Sequence, residues 1–479
     1  MNRKGKLIKD ISANGLQVIV NQLIGLVLFY LTSTYLLKAE FGYLNWATAL
    51  GSTIVAIASL GLDLIVVKRV AAAKSPQMVI GIHLFHGLAS GILALFFLVL
   101  FYVFFVQAKN TFNDVLVLPV FIYLVVGNVA NSFKLCLTGL EAYKQLAWVL
   151  IMANVLKLSG VLLLFVLGVF GIQQLILVYV LCSFAELLIA RFMANKHFEK
   201  PIWPRMVWFD YKGLVVEALP QLGVVLFDSA LARIDWILLG LMGTAVATAE
   251  YSFAYRVFEL SKLPLLILAP ILLTRFSKLF SGADGPSDKI QQDVQDYFKL
   301  EMVLVLFIPL VLLNVWTPMV DYLTHDKYGA VNELTYSILA VCIPLHAIIN
   351  FLWTLAFVKG YLKTIMWITV LSSVVNILAN VILIPMYSSQ GAAVAFLIST
   401  LLQTALYIVF MRQVDAPIRW LDSLLVLLFA AVALFFGQML DLHVVLSAML
   451  TVLIFVVLCV VGKQLNIGKI KTLIISKGT

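Results

Sequence analysis

Long apolar runs alternate with short polar ones along the whole chain. Each run holds about 20 or more residues, the length a helix needs to cross about 30 Å of hydrocarbon. The apolar residues follow one another without the every-other alternation of a barrel strand. The runs therefore predict helices, which satisfy their own backbone in lipid. Fourteen spans are expected, over 14–37, 43–65, 78–106, 115–138, 146–170, 172–194, 214–242, 249–277, 298–322, 334–357, 361–384, 390–411, 418–438 and 442–462. The largest polar stretches are HFEKPIWPRMVWFDYK (197–212) and SGADGPSDKIQQDVQDYFK (281–299), neither long enough for a soluble domain. The first falls between spans six and seven and reads as the linker between two halves.

Composition agrees. The 479 residues are 63% hydrophobic and 12% charged, with a mean hydropathy of +1.05. A soluble protein is roughly half apolar and a quarter charged, so this is an all-α polytopic membrane protein. The net charge of +9 points to no nucleic acid, because here the distribution of charge matters more than its sum. With the N-terminus inside, the cytoplasmic segments hold 26 of the 33 Lys and Arg residues, and the outer segments hold only Lys38, Lys109 and Lys327. That bias predicts fourteen crossings with both termini cytoplasmic. The basic start, MNRKGKLIKD, precedes an apolar run too long for a signal peptide and without a small-residue cleavage site, so it reads as an uncleaved first span. Cys136, Cys182, Cys342 and Cys459 all lie in apolar runs and read as small core residues. Trp46, Trp208, Trp316, Trp353 and Trp367 fall near proposed interfaces and read mostly as belt anchors.

The halves echo each other. AEFGYLNWA (39–47) returns as AEYSFAYRV (249–257), and Asn131, Lys144 and Trp148 return as Asn350, Lys363 and Trp367. Both offsets, 210 and 219 residues, place a span on the one six later. Spans 1–6 and 7–12 then form two like-oriented repeats, an arrangement used by transporters. The expected organisation is a first lobe over 1–200, a second over 201–413, and spans thirteen and fourteen with the tail over 414–479.

Four stretches carry a family resemblance. They are EFGYLNWATAL (40–50) with SLGLDLIVVKRVA (59–71); ALPQLGVVLFDSALARIDWILLG (218–240) with AEYSFAYRVFEL (249–260); PILLTRFSKLF (270–280); and NILANVILIPMYSSQGAAVAF (376–396). They resemble the polysaccharide-transport, or Wzx-type, flippases of the multidrug/oligosaccharidyl-lipid/polysaccharide exporter superfamily. The resemblance implies a MATE-like fold of two six-helix lobes plus two C-terminal helices. It also implies alternating access that moves a polyprenyl-diphosphate-linked oligosaccharide across the cytoplasmic (inner) membrane. The partners it implies are that lipid-linked sugar, membrane lipid, and a polysaccharide polymerase with chain-length proteins. No cofactor is expected, and coupling to an H⁺ or Na⁺ gradient is left open. Within the last stretch, Pro385 is expected to end span eleven, and Gly391, Ala392 and Ala393 to let helices approach closely.

Charge inside the spans is the candidate chemistry. A midplane ion costs about 2.5–3.5 kcal/mol on insertion scales, so it is paired or faces water. Lys157, Glu186, Asp228, Arg233, Asp235, Arg256, Glu259 and Lys262 lie well inside spans. At about 1.5 Å rise per residue, Arg256 is level with Asp235, and Lys262 with Asp228. Arg233 points about 160° away from Asp235 and has no obvious neighbour. Two readings stand: a charge zipper between spans seven and eight, or a hydrated cavity whose cations meet a substrate diphosphate. Lys157 either faces that cavity or pairs with Glu186. Asn21, with Gln17 and Gln22 in span one, either lines the cavity or bonds between helices.

Two other transporter readings fit less well. A drug antiporter of related fold commonly carries an acid in span one, and a peptidoglycan-precursor flippase tends to carry bases there; span one has neither. A membrane glycosyltransferase would need a catalytic acid pair or a donor-binding domain. No nucleophile constellation, metal spacing or phosphate-cradling glycine loop is present, so no enzyme activity is expected.

Overall fold

A computed structural model describes residues 3–72, 75–101, 116–280, 288–413, 418–440 and 443–465. The described residues form fifteen helices and no strand. These are α1 (Arg3–Tyr35), α2 (Lys38–Ala58), α3 (Leu62–Ala72), α4 (Pro76–Phe101), α5 (Val117–Gly139), α6 (Tyr143–Val166), α7 (Ile172–Asn195) and α8 (Trp208–Met242). There follow α9 (Ala245–Ser261), α10 (Leu263–Leu279), α11 (Asp288–Thr324), α12 (Gly329–Val358), α13 (Leu362–Gln413), α14 (Trp420–Met439) and α15 (Val444–Val461).

Among the described residues, ten helices are long and apolar enough to cross a membrane, and α9 with α10 makes an eleventh across a 44° bend. The 33-residue α1 and 35-residue α8 are also of crossing length, and α13 holds two crossings, which brings the number to fourteen. The expected spans differ in three places. Span two is two helices, α2 and α3, parted by left-handed backbone at Leu60 and Gly61. Span eight breaks at Lys262, two residues before Pro264. Pro385 does not end span eleven. The helix continues past it, and the backbone turns non-helical three residues later, at Ser388 (φ 54°, ψ −127°). Proline removes one backbone donor without forcing an immediate stop. Past the break, a Cβ on Gly391 would strike the Leu383 carbonyl, and Ala392 and Ala393 are fully buried.

The chain divides into two compact units, Met1–Ala249 and Glu250–Thr479. In the first, α5 lies along α7, α6 packs between α1 and α7, and α2 packs on α8. The last contact is close because it is made of glycines. A Cβ on Gly240 would enter the Trp46 ring, and one on Gly42 would meet the Ala245 carbonyl. Trp46 is buried and donates its indole N–H to the Ile237 carbonyl at 3.3 Å. The linker is anchored under α4: the Arg205 amide donates to the Gly81 carbonyl at 2.9 Å, and the Gln77 amide to the Lys200 carbonyl at 2.6 Å. In the second unit α12 packs against α13, α11 and α10, while α14 and α15 pair and close on α11.

The repeat is visible in the backbone. α5 ends with Glu141 in the left-handed region (φ 55°), and α12 ends with Gly360 there (φ 81°), 219 residues on. Ala142 N–H reaches the Leu137 carbonyl at 2.8 Å and Glu141 N–H the Thr138 carbonyl at 3.0 Å. Tyr361 and Gly360 make the same two bonds, to Ala356 and Phe357, each at 3.0 Å. These are the paired bonds of a Schellman cap. Lys144, Trp148, Lys363 and Trp367, just beyond the two caps, are all exposed.

Two substitutions test this packing. Gly42→Ala should lower the thermal midpoint in detergent, by the equivalent of about 1–3 kcal/mol of overpacking. Gly25→Ala, whose new methyl would meet nothing within 4 Å, should leave it unchanged. Glu141→Gly should raise the midpoint, because glycine takes the left-handed cap without the roughly 1–2 kcal/mol that a side chain costs there.

Candidate functional site

Most polar side chains inside the spans are already committed. The Ser and Thr hydroxyls mostly donate back to carbonyls of their own helix, as Thr32 does to Leu28 at 2.8 Å and Thr404 to Thr400 at 2.8 Å. The charged groups are the informative ones.

In the first unit Lys157 lies half-buried in α6. The pairing with Glu186 does not form: Glu186 on α7 takes Lys134 of α5 instead, at 2.8 Å. α5 runs along α7 and carries Lys134 to the carboxylate. Lys157 forms no ion pair among the described residues and lies within electrostatic reach of Cys182. Cys182 in turn is near Tyr179, whose ring meets Tyr123 edge-on at 5.7 Å. Tyr123 shares a hydrogen bond of 3.1 Å with Thr48 of α2. Arg233 approaches the same tyrosine from α8, with its guanidinium 4.6 Å over the Trp236 ring. Two cations from different helices thus border one seam of Tyr123, Tyr179 and Cys182. Asp235 is buried. The Asp228 side chain lies outside the described residues. Asn21 is half-buried, and its Oδ1 has no hydrogen-bond partner among the described residues.

In the second unit Arg256 pairs with Glu259 at 2.8 Å, three residues along α9. Lys262 stands at the break of span eight, its Nζ 4.3 Å from the Phe258 ring. It forms no ion pair among the described residues. His346 of α12 is within its electrostatic reach. The imidazole packs against Phe258 and Phe396, both at 5.6 Å, and Tyr255 meets Phe396 at 5.5 Å. The result is a cation at a helix discontinuity, walled by aromatic rings. Broken spans of this kind frame substrate or ion sites in transporters.

The sequence reading did not find Tyr123, Tyr179 or His346. Nothing marks a tyrosine or a single histidine in an apolar run as part of a site. It also missed a pair of hooks. The repeat-related Asn131 and Asn350 each donate their side-chain amide to a carboxylate, Asp63 at 2.9 Å and Glu301 at 2.7 Å. Their shared offset was the available signal. Two tryptophans read as belt anchors are core residues instead. Trp46 is described above, and Trp316 stacks on Tyr336 at 4.0 Å and donates to the Gly329 carbonyl at 2.9 Å.

Comparisons with known proteins follow this geometry. The family model described as "Polysaccharide biosynthesis protein" matches residues 7–276. A search of curated proteins returns no match. Among solved structures, the lipid II flippase MurJ in an inward closed conformation aligns with a TM-score of 0.72 at 13% identity, covering 94% of this chain and 98% of that one. An inward-facing multidrug resistance MATE family transporter of the MOP superfamily aligns at 0.63 and 15% identity, covering 82% and 94%. The Vibrio cholerae MATE transporter VcmN in the bent form aligns at 0.54 and 14% identity, covering 87% and 99%. At these identities the structural likeness is one of fold.

The different states of Lys134 and Lys157 can be separated experimentally. Lys134→Ala should destabilise the protein by about 3 kcal/mol, because it leaves the Glu186 carboxylate buried without its cation. Lys157→Met should leave the thermal midpoint within error. Equal losses in both variants would contradict the pairing.

Proposed function

Because the chain belongs to the polysaccharide biosynthesis protein family and has the fold of the MOP exporter superfamily, we propose that it flips a polyprenyl-diphosphate-linked oligosaccharide across the cytoplasmic (inner) membrane. It is a multi-pass membrane transporter rather than an enzyme. The bias of basic segments supports a cytoplasmic location for both termini.

One observation carries the reading. Lys157, Arg233 and Lys262 lie inside spans and form no ion pair among the described residues, although each costs about 2.5–3.5 kcal/mol to hold there. A scaffold zipper would pair them. In the first unit a diphosphate would supply the missing charge, through forked donors from Arg233 and a point charge from Lys157. The rings beside Arg233 and Lys262, Trp236 in one unit and Phe258 in the other, are buried and hold these cations in place of an acid. Asn21 adds an unused acceptor. Alternating access supplies the movement, and nothing in the chain suggests direct use of ATP.

Loss of the protein should cause the lipid-linked repeat unit to accumulate on the inner leaflet, measured by leaflet-resolved labelling of extracted glycolipid. Lys157→Ala, Arg233→Ala and Lys262→Ala should each cut export by about tenfold or more, the effect of about 1.4 kcal/mol of lost stabilisation, at unchanged protein level. Lys144→Ala, at an exposed position, should not. No accumulation on loss of the chain would sink the proposal.

A further inference from the structure

Glu301 of α11 is 1% exposed. Its Oε1 accepts the 2.7 Å hydrogen bond from Asn350, and its Oε2 is fully buried and meets no partner among the described residues. No cation among the described residues pairs with it. Lys299, two residues earlier, pairs with Asp422 of α14 at 3.1 Å. From α10, Arg275 lies by Tyr297, one turn before Glu301. At the end of α12, Lys359 stands 5.4 Å over the Phe280 ring. From α14, Asp422 also holds Gln295 at 2.7 Å and Gln464 at 3.2 Å.

The counterpart hook is different. Asp63 keeps 41% of its side chain exposed and has His83 Nε2 at 3.5 Å, with His83 Nδ1 in turn 2.9 Å from Ser132 Oγ. A carboxylate in that setting is stabilised by water and imidazole. A carboxylate at Glu301 would have one neutral amide and nothing else, and a buried group in that position neutralises itself rather than stay charged.

We propose that Glu301 is a proton-binding site of the transport cycle. It is a neutral carboxylic acid while α11 and α12 are packed as here, and it releases its proton to water when that contact opens. The proton is the only species transferred, from the carboxyl to water, and Asn350 holds the other oxygen while α11 and α12 are packed. The site rests on the reading of the chain as a transporter and adds to it the ion that drives the cycle. Glutamine accepts the same hydrogen bond from Asn350 but binds no proton, so Glu301→Gln separates coupling from structure.

The full-length protein in phosphatidylcholine–phosphatidylglycerol vesicles should show a protonated-carboxyl C=O stretch in its infrared spectrum at neutral pH. Glu301→Gln should remove it. In cells, Glu301→Gln should reduce export of lipid-linked sugar by about tenfold or more at an unchanged thermal midpoint, and Glu301→Asp should restore part of it. A carboxyl band unaffected by the substitution would overturn the proposal, as would wild-type export by Glu301→Gln. Absence of sugar export by the unsubstituted chain would instead overturn the flippase reading, while the infrared band still reports on the proton.

Discussion

Hydrocarbon offers no hydrogen-bond partner and no screening, so every polar group inside a span must be answered by the protein itself. That constraint organises this chain. An unsatisfied amide or hydroxyl there costs several kcal/mol. The helices therefore spend their polar side chains on each other: Asn131 on Asp63, Asn350 on Glu301, Ser261 on Tyr336 at 3.2 Å. Most of the hydroxyls left over fold back on their own carbonyls, as Ser372 does on Ile368. Close packing then follows from small residues. Gly42 and Gly240 let α2 approach the end of α8 and the residues after it, and Trp46 donates to the carbonyl that this approach exposes.

The same constraint explains what the repeat preserves and what it does not. The Schellman caps at Glu141 and Gly360 match bond for bond, and the asparagine hooks match in partner type. Both belong to the scaffold, where each half must solve the same packing problem. Charge inside the spans is not repeated residue for residue. Asp63 is partly exposed beside a histidine, while Glu301 is sealed beneath an amide. Lys157 falls opposite Asn376 at the same offset, and that asparagine is fully buried, with its amide 3.3 Å from Ser399. Two halves of one architecture thus carry different ligands: uncompensated cations in the first unit, a buried acid and a ring-walled lysine in the second.

Span number and helical class were legible because the bilayer fixes the length of each apolar run. The breaks were not. Hydropathy does not register two left-handed residues at Leu60 and Gly61, or a turn at Ser388 displaced three residues from the proline that weakens the helix. Direction around a helix was not legible either. This is why Glu186 was set against Lys157 when α5 delivers Lys134, and why Trp46 and Trp316 read as interfacial when they point inward. For the candidate site, partners were sought across helices although spacing within one helix would have found several. Arg256 with Glu259 and Arg233 with Trp236 are three apart, and Lys262 with Phe258 is four apart, the separations at which side chains meet on one face.

The choice of a ring rather than an acid as the partner of Arg233 and Lys262 has a consequence for transport. Removing one member of a buried ion pair costs about 3–5 kcal/mol, so a cation held in that way releases its acid reluctantly. A cation over a ring is held by about 0.5–2 kcal/mol, depending on desolvation. That is enough to keep the side chain ordered in the absence of substrate, and little enough for phosphate oxygens to displace. A resting partner that is weak and flat suits the proposed flippase, in which a diphosphate would be bound on one side of the membrane and released on the other. Glu259 meets the same requirement differently: by holding Arg256 at 2.8 Å within its own helix, it leaves Lys262, at the break just after α9, as a cation of span eight with no ion pair among the described residues.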